Sequence, residues 1–107
     1  MIGAVTQEKG MQMIAPVIVT PFTGILCLFL LDLGIAVNTV APGAIETDFG
    51  GGIVRDNPDM NALYASMTAL GRVGLPEDIG PMVASLLFDA NRWVTGQRIE
   101  VSGGQAI

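Results

Sequence analysis

Histidine does not occur in this chain, and cysteine occurs once. Without histidine there is no Ser-His-Asp or Cys-His catalysis, and most transition-metal sites lose their commonest ligand. The lone Cys27 can form neither an intrachain disulfide nor a cysteine zinc site. It lies inside an apolar run and reads as a small core hydrophobe. A reducing, cytoplasmic setting is therefore expected. Charge is also scarce, at 14% of residues against the usual quarter or so. The five basic residues are scattered and the net charge is -5. That excludes the polybasic patch a nucleic acid or an anionic membrane surface requires.

What the chain has in quantity is apolar surface. Half of its 107 residues are hydrophobic, enough to exclude charge-driven disorder. The length sets one small domain as the ceiling. Residues 11–31 carry no charge at all and reach the length of a membrane span. Pro16 and Pro21 interrupt that run, and its strongest stretch, Ile25 to Leu31, is short. No positive cluster precedes it and no small-residue cleavage motif follows, so a signal peptide fits poorly. The expectation is a buried core helix or a misplaced apolar segment, with membrane insertion disfavoured.

Beyond Asp32 the pattern becomes regular. Gly34 is a natural left-handed stop after a helix. The β-branched run Ile35 to Ala41 reads as a buried strand, ended by Pro42-Gly43. Residues 48–60, rich in Gly, Asp and Asn, read as a mobile loop. Asn57 or Asp59 caps a short helix through about Leu70, with Pro58 in its first turn. Pro76-Glu77-Asp78 opens a second helix, its carboxylates near the positive dipole end and Pro81 bending its first turns. Gly96 to Val101 reads as another strand, with Ile99 and Val101 alternating with charged neighbours. The fold class expected is α/β, a partial Rossmann-like fold. Its order is helix-strand-helix-helix-strand, with a two-stranded parallel pair joined by a right-handed crossover. Such a pair needs further strands beside it.

Three segments carry a family resemblance. Val37-Asn38-Thr39-Val40-Ala41-Pro42-Gly43-Ala44-Ile45-Glu46-Thr47 resembles the strand and turn of short-chain dehydrogenases/reductases that ends Pro-Gly-x-Ile/Val-x-Thr. Leu70-Gly71-Arg72-Val73-Gly74-Leu75-Pro76-Glu77-Asp78-Ile79 is similar to that family's Arg-x-Gly-x-Pro-Glu-Glu helix start. Val94-Thr95-Gly96-Gln97-Arg98-Ile99-Glu100-Val101-Ser102-Gly103-Gly104 is similar to its closing segment, with Ser102 where the family favours Asp. The three occur in the family's order over residues 33–107, so the chain resembles the C-terminal part of such an enzyme.

The resemblance implies an NAD or NADP cofactor, with Pro42, Gly43, Ile45 and Thr47 as its site. The backbone N–H of Ile45 and the Thr47 hydroxyl would bond the nicotinamide carboxamide, which needs both donor and acceptor partners. Gly43 would let backbone approach a flat ring closely. Read without the family, Pro42-Gly43 is a strand-ending turn and Thr47 a helix cap. Residues 48–70 correspond to the substrate lid. Tyr64 and Trp93 read as packing residues, and Glu46 and Asp48 as solvated loop charges rather than a catalytic carboxylate pair.

The family's N-terminal half leaves no trace in the sequence. Its glycine-rich dinucleotide motif does not occur, and Gly50-Gly51-Gly52 follows a loop rather than a strand. Nor does Tyr-x-x-x-Lys, whose lysine lowers the tyrosine pKa for proton exchange with substrate. The one tyrosine, Tyr64, has Thr68 where lysine is required, and Lys9 has no tyrosine four positions before it. No catalytic residue and no metal ligand is therefore assigned. The join near Asp32 leads to the expectation of a remnant or alternative-start product whose apolar leader, 1–32, is unrelated or out of frame. Function divides between an NAD(P)-dependent alcohol or carbonyl oxidoreductase, truncated and inactive alone, and a non-enzymatic interaction protein. In the second case the exposed sheet edge and apolar helices pair the chain with itself or with related subunits. A small-molecule substrate is expected only for a complemented chain.

Overall fold

The computed structural model describes residues 3–8, 11–16, 25 and 28–106. Cys27, Lys9 and residues 17–24 of the apolar run lie outside the described residues, and with them the core role read for Cys27. Four strands form one sheet in the order β2-β1-β3-β4. They are β1 (Gly3–Glu8), β2 (Met11–Pro16), β3 (Ala36–Pro42) and β4 (Arg98–Val101). β1 runs antiparallel to both its neighbours, pairing Gly3 with Pro16 and Glu8 with Met11 on one side, and Gly3 with Val40 on the other.

β3 and β4 are the expected parallel pair. The Thr39 N–H donates to the Gln97 carbonyl at 2.8 Å, and four residues further along both strands the Gly43 N–H donates to the Val101 carbonyl at 3.1 Å. The α/β class thus holds. Its opening element is corrected, however, because Met11–Pro16 is a strand where the uncharged run had been read as helix. An apolar run without alternation suits a buried strand as well as a helix. Among the described residues of that run, helical geometry occurs at Ile25 and at 28–30, and it tightens into the 3-10 turn Leu31–Leu33 before Gly34 (φ +69°) stops it. The hairpin supplies the further strands that a parallel pair needs.

The chain divides into two compact units, residues 1–41 with 82–99 and residues 42–81 with 100–107. In the first, Val37 to Ala41 are all buried, which is why a strand with no polar face suits this position. Asn38 and Thr39 are the polar exceptions, and the Asn38 amide bonds through both its nitrogen and its oxygen. Nδ2 donates to the Val94 carbonyl at 2.9 Å and Oδ1 accepts from the Gln97 N–H at 3.1 Å. The Thr95 hydroxyl accepts from the Val37 N–H, and the Gly96 N–H donates back to the Val37 carbonyl at 2.7 Å. The resemblance-bearing Asn38 and Thr95-Gly96 are therefore structural, knitting a turn onto β3. Trp93 corrects an expectation: it is 95% exposed rather than packed.

The second unit holds two helices, α1 (Ile53–Asp56) and α2 (Pro58–Ser66), and the start of α3 (Pro76–Ser85). Residues 48–60, read as loop, are largely helical: the 3-10 turn Phe49–Gly52, then α1, then α2. Gly50, Gly51 and Gly52 stand in left-handed conformation (φ +63°, +73° and +76°), which lets the chain reverse between two helical turns. Asn57 caps α2 as expected, its Oδ1 accepting from the N–H groups of Asp59 and Met60, with Pro58 in the first turn. The helix ends at Ser66, four residues earlier than its apolar spacing suggested.

α3 begins at Pro76 as read, and Pro81 lies inside it. The Asp78 carboxylate reaches back to the Leu75 N–H at 2.8 Å, satisfying a donor that the helix itself leaves open.

Candidate functional site

β3 delivers the chain into the turn Pro42 to Thr47, and three neighbouring segments shape that turn. Gly74 bonds on both sides of Ile45: its N–H donates to the Ala44 carbonyl at 2.9 Å and its carbonyl accepts from the Glu46 N–H at 3.0 Å. In a parallel bridge of this kind the flanked residue turns its own N–H and C=O to the opposite edge. The Ile45 N–H is so turned, and no group among the described residues bonds to it. Two residues on, the Thr47 hydroxyl accepts from the Phe49 N–H at 3.2 Å, the local cap that a family-blind reading expects. That leaves the hydroxyl its own proton to donate and one lone pair. An amide ligand needs just such a donor N–H and such a donor–acceptor hydroxyl, so these residues fit a carboxamide.

Gly43 also answers to a packing requirement. A Cβ at this position would fall 2.8 Å from both the Gln105 Oε1 and the Ser102 Cα. The space a side chain would fill is taken by the chain itself. The same Gln105 oxygen accepts from the Ala44 N–H at 2.9 Å. Sequence reasoning passed over Gln105, since nothing local marks a residue 61 positions away as a partner.

Glu46 and Asp48 diverge. The Glu46 carboxylate accepts from the Asn61 amide at 2.8 Å, whereas Asp48 pairs with Arg55 at 2.6 Å. They do not form a paired-carboxylate site. Arg55 also bonds Asp56 through two nitrogens, which raises the guanidinium pKa further and holds the Asp56 carboxyl below its ordinary value. Tyr64 carries no catalytic pairing: its carbonyl accepts from the hydroxyl of the buried Thr68, the residue standing where the family's lysine would be.

A cavity of about 220 Å³ is lined by Ile45, Leu70, Gly74, Ile79, Val101 and Gly103, with Arg72, Asp78 and Ser102 completing its wall. Arg72 and Asp78 form a two-pronged pair at 2.7 and 2.9 Å. The Arg72 hydrogen bonds, and next the Leu75 N–H, hold the Asp78 carboxyl down to about 2. The motif residues Arg72 and Asp78 thus fasten a helix start. Among the described residues no group of three or more His, Cys, Asp or Glu side chains is placed to hold a metal, and no helix is long and apolar enough to cross a membrane.

A parallel strand pair ending in such a turn is the arrangement found in doubly wound α/β folds, and comparison with known proteins narrows the family. Residues 4–106 match the family described as enoyl-(acyl carrier protein) reductase, a match that takes in the hairpin as well as the motif-bearing segment. Versicolorin reductase 1 of Dothistroma septosporum is 39% identical over 82 residues, covering 68% of this chain and 31% of the relative. A short-chain type dehydrogenase/reductase from Mycobacterium ulcerans superposes with a TM-score of 0.70 at 36% identity, over 79% of this chain and 30% of that one. A blue fluorescent protein from a metagenomic library, solved in complex with NADPH, gives a TM-score of 0.68 at 35% identity, over 80% and 33%. The chain belongs to the short-chain dehydrogenase/reductase family. It spans about a third of the length of the relatives it matches.

Proposed function

We propose that the chain serves as the carboxamide-docking wall of an NAD(P)-dependent oxidoreductase acting on an alcohol or carbonyl compound, and that it is inactive without the remaining elements of the fold. The observation that carries this reading is the Ile45 N–H, held outward by Gly74 and unbonded among the described residues, with the Thr47 hydroxyl two residues along. Ile45 and Thr47 would hold the nicotinamide carboxamide, while Pro42 and Gly43 set the turn that presents them. When bound, the cofactor supplies hydride transfer. This chain's residues orient the amide end of the ring and do not move the proton, because Tyr-x-x-x-Lys does not occur in its sequence. The cofactor bound by the NADPH-containing neighbour and the reductase activity of the versicolorin relative support the class of reaction.

The test is a titration of the full chain with nicotinamide mononucleotide, followed by amide NMR. The Ile45 and Thr47 signals should shift together, and Thr47→Val should weaken the response without altering the Asn38 signals. Silence at Ile45 up to the ligand's solubility limit would sink the reading.

A second reading is favoured by a specific observation. In the first unit Leu28, Phe29, Leu33, Phe88 and Trp93 are all exposed, Phe29 at 77%. Large apolar side chains left in water favour association with another surface. On this reading the chain pairs with itself or with related subunits, and a substrate enters only once such a complement is present. Sedimentation of the full chain across a concentration range decides it. A monomer at every concentration, with no change when a full-length relative is added, would remove it.

A further inference from the structure

We infer that Gln105 is a positioning residue that sets the Pro42–Thr47 turn and ties it to the end of α2. This deepens the carboxamide reading and rests on it for its functional meaning. Three observations carry it, all within the second unit. First, Gln105 Oε1 accepts from the Ala44 N–H, immediately before the outward-facing Ile45 N–H. Second, that oxygen occupies the slot left by the missing side chain of Gly43. Glycine and glutamine are therefore complementary parts of one contact: any side chain at 43 would expel the amide at 105.

Third, the backbone around Gln105 is stitched to the residues following α2. The Ala69 and Leu70 N–H groups donate to the Gly104 and Gly103 carbonyls at 3.0 and 3.1 Å, and the Ala106 N–H donates to the Met67 carbonyl at 2.8 Å. The Gln105 N–H itself donates to the Ser102 hydroxyl at 3.2 Å, which fixes the segment from which the side chain reaches out. Residues 103–106 accordingly give the end of α2 a hydrogen-bonded route to the Ala44 N–H, beside the bond that Gly74 makes to the Ala44 carbonyl. The connecting element is a short two-stranded stitch, and the side-chain hydrogen bond it makes to the turn at Ala44 comes from the Gln105 oxygen.

The experiment is amide hydrogen exchange on the full chain, comparing the native sequence with Gln105→Ala and Gln105→Glu. In Gln105→Ala the Ala44 amide should exchange roughly two- to tenfold faster, the range for losing one hydrogen bond. The Gly96 amide, bonded to Val37 in the other unit, should keep its rate. Gln105→Glu retains an acceptor oxygen and should restore protection at Ala44, an outcome that lost packing alone would not give. An unchanged Ala44 rate in Gln105→Ala would overturn the inference. So would equal acceleration at Ala44 and Gly96, because Gln105 would then serve only overall stability. Nicotinamide mononucleotide separates the two ideas. If exchange behaves as expected while Ile45 ignores the ligand in the native chain, the tie stands and the carboxamide reading falls. If Ile45 responds natively and responds more weakly in Gln105→Ala, both stand.

Discussion

Replacing Asn38 with alanine removes two hydrogen bonds at once, from a side chain that is only 4% exposed. Each is worth about 1 kcal/mol net, and the orphaned Val94 carbonyl and Gln97 N–H add part of a desolvation penalty. The expected loss is about 2–3 kcal/mol, or roughly a 10–20 °C fall in melting temperature for a domain of this size. Urea unfolding of the full chain, followed by circular dichroism, measures it. Asn38→Asp sharpens the argument. It keeps an acceptor for Gln97 but turns a second oxygen on the Val94 carbonyl, so at neutral pH it should be at least as damaging as alanine. Protonation gives that oxygen a donor hydrogen, so stability of the aspartate variant should rise as pH falls toward its carboxyl pKa. If Asn38→Asp matches the native chain at pH 7, the Nδ2–Val94 bond contributes nothing and the reasoning is wrong.

Other substitutions probe the second unit. Gly43→Ala should cost about 1–3 kcal/mol by overpacking, because the Ser102 backbone cannot retreat. Gly74→Ala should cost less, since its new methyl meets only the tip of the Ile45 side chain; equal losses in melting temperature would contradict the contrast. Asn57→Ala should remove about 1 kcal/mol through loss of the α2 cap, read as reduced helical ellipticity and a lower urea midpoint. The Asp78 carboxyl, lowered from 3.8 to about 2, gives acid titration a definite sign. Its contribution is complete above about pH 4, declines below that, and is gone once pH drops through about 2. Asp78→Asn should flatten that limb of the stability profile, and an unaltered limb would show that the Arg72 pair is not its source.

Much of this fold was legible where one residue's backbone preference decides the outcome. Gly34 stops a helical turn, Asn57 and Pro58 start α2, Pro76 starts α3, and the β-branched residues after Ile35 make a buried strand. Legibility failed where composition and geometry part company. Residues 11–16 are uncharged, with Gln12 the one polar side chain, a pattern that does not distinguish strand from helix. Three consecutive glycines suggest a loop, yet left-handed dihedrals let them link helical turns. The packing of Gly43 against Gln105 was not legible, because that partner lies far along the chain. Trp93 was misplaced because bulk and apolarity suggest burial, while only tertiary packing supplies a place to be buried.

That tryptophan has a practical consequence. It is the chain's only indole, and it stands in water while the protein is folded. Its emission should already be red in the native state, so unfolding in denaturant will barely move it. The spectrum will turn blue only when some other surface closes over the ring, which makes a natural fluorophore that reports encounters and is silent about folding.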